Sequence, residues 1–209
     1  IEMGANKPNE IKLICDAIKP NIGLITNVGS AHMKYFSSKN EIAKTKSALF
    51  SSLPKNGTAF VNIDDPFISK MNSTCTCISY SLNTSADHTG LWNEKTKKLI
   101  IDNCSINLSK YPCTMSINGL AVYSVASELG LDASSIISQI KTFKLPNGRG
   151  QIKKINNYII IDDTYNSNME SMEYGIKTLI EYSSSNRKII IIGDMLELGK
   201  NEKKYHKNI

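Results

Sequence analysis

At 209 residues, with 41% hydrophobic and 21% charged side chains, the chain can bury a core and is not a disordered segment. No apolar run reaches the roughly 18 residues of a membrane span, and the opening IEMGANKPNE lacks the basic start and apolar stretch of a secretory leader. The net charge of +6 is almost all lysine, scattered and not interleaved with aromatics, so neither a nucleic-acid nor a membrane partner is expected.

In chain order, Gly23–Val28 (GLITNV) is an apolar run ending in a polar turn, as a buried parallel strand does. Ile42, Ala43, Leu49, Phe50 and Leu53 recur at helical spacing, which predicts a helix over Asn40–Leu53. Gly57–Asn62 reads as a second strand running into the acidic turn Asp64-Asp65-Pro66. Short alternating β segments follow between Ser73 and Cys113, among them Lys98–Ile101. A helix over Ile117–Leu129 is expected to stop at Gly130, and Asp132 to cap another reaching about Thr142.

Leu145-Pro146-Asn147-Gly148 has the composition of a domain boundary. Beyond it, strand Tyr158–Ile161, helix Met169–Tyr182 and strand Lys188–Ile192 predict a right-handed βαβ unit with a parallel sheet, followed by a Gly193–Gly199 loop. The five cysteines form no pair of CxxC knuckles, and Cys75 and Cys77 read as small buried thiols of a strand. A reduced, cytoplasmic chain is expected.

Ligands bind at the carboxyl ends of parallel strands. Polar clusters stand there at Thr26–His32, Asp162–Asn168 and Gly193–Gly199. His32 and Glu2 could share a divalent cation; from the residues alone, a surface His and a terminal Glu is the plainer reading. Lys44 and Lys46 are near neighbours on one helix, so at most one of them points inward. Asp162-Asp163-Thr164-Tyr165-Asn166 offers acceptors for ribose hydroxyls, or an Asx turn that starts the next helix. Arg149 between Gly148 and Gly150 suits phosphate recognition, though the glycines could be plain linker. No G-x-x-x-x-G-K-[ST] loop occurs in these residues, and no Ser-His-Asp or Cys-His arrangement has supporting context. Spacing alone supports an α/β enzyme fragment of unknown ligand.

The segments EMGAN, ITNVGSAH, IAKTK, FVNIDD, GRGQ, DDTYNSN and GDMLELG occur in this order. Together they resemble the motifs of the Mur ligase family, most closely its type that adds D-alanyl-D-alanine to a UDP-N-acetylmuramoyl-tripeptide. The resemblance runs from Glu2 to His206. It implies an α/β architecture: a central ATP-binding domain truncated at its N-terminus (1–145), then the first half of a Rossmann-like C-terminal ligase domain (146–209).

The resemblance also implies ATP and Mg²⁺ as cofactors and a cytoplasmic, monomeric enzyme of peptidoglycan precursor synthesis. In the family, ATP phosphorylates a carboxylate and an amine displaces the phosphate. By motif match, Glu2 and His32 are expected as magnesium ligands and Lys46 as the lysine carbamylated to hold a second ion. Arg149 would face the ATP phosphates and Asp163 the ribose, with Tyr165, Asn166 and Asn168 along the same edge. Asp194 and Glu197 would border the incoming dipeptide. The adenine-side pattern G-x-H-N-x-x-N reads Pro112-Cys113-Thr114-Met115-Ser116-Ile117-Asn118 here, with Asn118 retained. Without the Gly-rich loop, the 209-residue chain by itself is expected to be inactive. The rival readings are another Mur-type amide ligase, such as folylpolyglutamate synthase, and a non-catalytic remnant.

Overall fold

The computed structural model describes residues 1–30, 33–182, 187–199 and 202–209. Helix α1 (Glu10–Ile18) precedes β1 (Ile22–Ile25), α2 (Lys39–Ser51) and β2 (Thr58–Asn62). Strands β3 (Thr76–Ser81) and β4 (His88–Thr89) complete a parallel sheet in the order β1-β2-β3-β4. An antiparallel sheet of β5 (Leu91–Asn93), β6 (Lys98–Ile101) and β7 (Cys104–Asn107) follows, then α3 (Met115–Glu128) and α4 (Ala133–Thr142).

Alternation along β2 builds a layered core. Ala59 and Val61 face one way, into a cluster with Phe50, Leu53 and Ile42 of the α2 layer. Phe60 faces the other way, joining Tyr80, Leu120 of α3 and Ile136 and Ile140 of α4. The antiparallel sheet adds Leu99, Ile101 and Ile106 to that second cluster. A sheet covered on both faces explains why its strands read as apolar runs.

Local signals set the helix ends. The α3 helix closes in a Schellman motif: the Gly130 N–H donates to Ser127 O and the Leu131 N–H to Ala126 O, with Gly130 at φ 83°. Asp132 caps α4 by accepting the Ser134 and Ser135 N–H groups. Helix α1 had no place in the sequence reading. It is short, it starts at an Asn9 with positive φ, and only Ile11 and Cys15 are buried.

Two expectations fail. Cys77 is exposed and Cys75 half-buried, because β3 starts outside the covered part of the sheet. The parallel βαβ unit also does not form. Instead β8 (Gln151–Ile155) and β9 (Tyr158–Asp162) make an antiparallel hairpin, turning through Asn156 at φ 52°, and α5 (Met169–Glu181) follows. Lys188–Ile192 forms no strand, and Ile191 is 95% exposed. Four isoleucines need covering layers and neighbouring ladders to become a central strand, and among the described residues nothing provides them. A last helix, α6, spans Glu202–Asn208.

Candidate functional site

The segment after β1 is held by side chains from distant places. Asn62 Nδ2 donates to Thr26 O at 2.8 Å, and Lys46 Nζ donates to Asn27 O at 2.9 Å. The Val28 N–H donates to Asp65 Oδ2 at 2.9 Å. Asp65 is itself fixed by the Phe67 and Ile68 N–H groups on its other oxygen. The neighbouring Asp64 accepts from Ser81 Oγ and the Leu82 N–H. The acidic turn thus organises both its own loop and the one beside it, which its sequence, read only as a turn, did not reveal.

Lys44 is exposed, whereas Lys46 is half-buried and reaches back to the β1 loop. Burial pushes the Lys46 amine below its usual pKa, with Asp65 opposing the shift. A larger neutral fraction is what an amine needs to act as a nucleophile. His32 lies outside the described residues. Glu2 is exposed, and among the described residues no hydrogen bond or ion pair joins it to Lys46. Nor do three His, Cys, Asp or Glu side chains among them gather as a metal site.

Arg149 sits between Gly148 at φ 71° and Gly150 at φ 76°. A Cβ on Gly150 would lie 2.5 Å from Pro112 Cγ, and one on Gly148 would lie 2.9 Å from Tyr165 N. These glycines are therefore required by the backbone and are not plain linker. They turn the Arg149 guanidinium onto the Tyr165 ring, 3.8 Å from its centroid. Beside them, desolvation raises the Asp163 carboxyl pKa, with Arg149 pulling the other way. Asn168 caps α5: its Oδ1 accepts the Ser171 N–H at 2.8 Å, and its own N–H donates to Ser171 Oγ. Asn166 Oδ1 accepts the Ser167 N–H. Arg149, Asp163 and Tyr165 are thus brought together, while Asn166 and Asn168 are engaged in shaping the turn into α5.

A cleft of about 430 Å³ opens between the end of β2, the start of α3, β5 and α5. Asn62, Asp64, Trp92, Thr114, Tyr174 and Lys177 are among its walls. Thr114, the departure from the adenine-side pattern, lines it; Asn118, the retained position, is not among its walls. Trp92, Tyr174 and Lys177 carried no motif signal, since only the fold brings a hairpin and a helix some 80 residues apart to one opening.

The Gly193–Gly199 loop is anchored by Met195 and Leu198, 2% and 4% exposed. Met195 N–H donates to His206 Nε2 at 3.0 Å, and Glu197 O accepts the Lys34 N–H at 2.8 Å. Asp194 remains largely exposed, 3.9 Å from His206 Nε2. Glu197 therefore lies at the Lys34 segment, which follows the β1 loop, and Asp194 beside His206 of α6.

Family models match two parts of the chain: the Mur ligase middle domain over residues 1–125 and the Mur ligase glutamate ligase domain over 148–209. The UDP-N-acetylmuramoyl-tripeptide–D-alanyl-D-alanine ligase of Buchnera aphidicola subsp. Baizongia pistaciae is 34% identical, over 100% of this chain and 47% of its own length. The chain spans about half the length of the curated relatives it matches. Among solved structures, MurF from Acinetobacter baumannii aligns with a TM-score of 0.87 at 24% identity, over 100% of this chain and 47% of that one. MurF from Thermotoga maritima in complex with ADP aligns with a TM-score of 0.83 at 25% identity, over 99% and 49%.

Proposed function

This chain belongs to the Mur ligase family, and from that premise we propose that it is part of an ATP-dependent ligase joining D-alanyl-D-alanine to a UDP-N-acetylmuramoyl-tripeptide. The observation that carries the reading is the 34% identity, across the whole chain, to a ligase of that name. In this reading residues 1–145 handle the nucleotide, residues 146–209 begin the C-terminal ligase domain, and the enzyme works as a cytoplasmic monomer in peptidoglycan precursor synthesis.

A carboxylate resists attack because its charge repels nucleophiles. Transfer of the ATP γ-phosphoryl group to it replaces that charge with a leaving group. The dipeptide amine then adds to the acyl carbon, and inorganic phosphate departs with the C–N bond formed. Arg149 leaves the Tyr165 ring to meet phosphate, and Asp163 accepts from the ribose hydroxyls. The cleft walled by Thr114, Trp92 and Tyr174 takes the base.

The lowered pKa of Lys46 fits reaction with carbon dioxide to give a carbamate, an oxygen donor suited to Mg²⁺. Glu2 and His32 would hold one Mg²⁺ and that carbamate a second, and the ions when bound would neutralise charge on the transferring phosphoryl group. Asp65 is committed to the two loops, both its oxygens accepting backbone N–H groups. Asp194 and Glu197 would border the dipeptide.

The test is phosphate release by the intact protein with ATP, Mg²⁺ and a UDP-N-acetylmuramoyl-tripeptide. Strict dependence on D-alanyl-D-alanine is expected. Release driven instead by glutamate on a folate substrate would move the protein to the folylpolyglutamate synthase type. The isolated 209 residues, which contain no Gly-rich phosphate loop, are expected to show no ATP turnover.

A further inference from the structure

The segment after β1 is gripped from two sides. Thr26, Asn27 and Val28 are fixed by Asn62, Lys46 and Asp65, all from the first part of the chain. Its Ser30 end is fixed from the second part. The Ser30 N–H donates to Glu170 Oε2 at 3.2 Å and Ser30 Oγ donates to Glu170 Oε1 at 2.6 Å. Lys39 Nζ donates to the same Oε1 at 2.7 Å. Lys39 opens α2, the helix that presents Lys46 two turns later.

One carboxylate, on the first turn of α5, therefore ties three elements together: the β1 loop, the start of α2 and the C-terminal part. Glu170 follows the capping Asn168 by two residues, so the capping box fixes where its side chain begins. Burial works to raise the Glu170 pKa, and the hydrogen bonds from Lys39 and Ser30 together outweigh it, holding the carboxyl below its ordinary value. An ionised acceptor facing one cation and two neutral donors is a satisfied, charge-assisted cluster.

We propose that Glu170 is a positioning residue, which sets the β1 loop and the Lys46 helix in register with the C-terminal part so that the groups acting on phosphate and on the amine meet. The catalytic half of this inference rests on the ligase reading; the structural half does not. Both halves are tested in the intact protein, with Glu170→Ala removing all three contacts and Glu170→Gln keeping an acceptor for Ser30 while losing the charge opposite Lys39.

Hydrogen exchange is measured first. Glu170→Ala should speed exchange in residues 26–30 about tenfold, with the α3 peptide unchanged. Equal exchange in wild type and variant overturns the proposal. So does acceleration spread evenly over the whole chain, or failure of Glu170→Ala to fold when Glu170→Gln shows no local change.

In the kinetic arm, kcat should fall about ten- to a hundredfold in Glu170→Ala while KM for the dipeptide stays within about twofold. Glu170→Gln should recover part of the loss. A fall in thermal stability with unchanged kcat per folded enzyme would leave Glu170 a purely structural tie and overturn the positioning role. If the wild-type protein releases no phosphate, the ligase reading falls on its own, and exchange still decides whether Glu170 sets the loop.

Discussion

The two parts of the chain hold themselves together in different ways. In the first, β2 is covered on both faces, and Phe50, Phe60, Tyr80 and Leu120 are at most 1% exposed. In the second, Tyr158, Ile159 and Ile160 of β9 are 70%, 45% and 41% exposed, and α5 has no buried residue. What fastens α5 is mostly charge. Glu170 reaches Ser30 and Lys39 near its start. Further along, Lys177 and Glu181 join Glu94 and Lys97 of the β5–β6 hairpin. Apolar runs of similar appearance thus become core in one place and surface in the other, because burial depends on what arrives to cover them.

The comparison breaks most sharply by truncating one apolar side chain in each part. Phe60→Ala should cost about 3–5 kcal/mol, since it opens a cavity between two helices and the sheet. Ile160→Ala should cost under about 1 kcal/mol. Urea unfolding of both variants measures the contrast, and equal costs would show that β9 is as well packed as β2. Next in size, Asn168→Ala removes the α5 capping box and should cost about 1 kcal/mol, read as faster exchange confined to α5.

The smallest effect concerns the ionic fastening of α5. Glu94 is held down to about 2, chiefly by the hydrogen bond from Lys97 and next by that from Trp92, against an ordinary value of 4.5. Because the folded value is the lower one, this pairing stabilises above pH 4.5 and is lost as pH falls towards 2. The group is well exposed, so screening keeps the effect small. The melting temperature of Glu94→Gln should lie slightly below that of wild type at pH 6, and the two should converge near pH 2. A gap that persists to pH 2, or widens, would show that Glu94 acts by packing and not by charge.

The legible elements were those whose signals are local. The α2 periodicity, the Gly130 stop and the Asp132 cap each depend on a few adjacent residues, and the observed ends agree with the reading to within two residues. The Lys188–Ile192 run misled because an apolar run specifies a strand only when neighbours complete its ladders. The same limit governed the site. Arg149, Asp163 and Tyr165 were visible as motifs and do converge, whereas Asp65 read only as part of a turn, and Trp92, Glu170 and Lys177 carried no motif signal.

By itself, the sequence determined the family, through seven short motifs in order, the caps at Gly130 and Asp132, and that at most one of two lysines on α2 points inward. Only the tertiary structure decided that Lys46 is the lysine turned inward, that the acidic turn after β2 holds the β1 loop, and that a glutamate 140 residues from Ser30 grips the same loop. Motifs and caps are written in contiguous residues and survive without neighbours. A carboxylate's role depends on which distant donors folding brings within hydrogen-bond reach, and no local pattern encodes that distance.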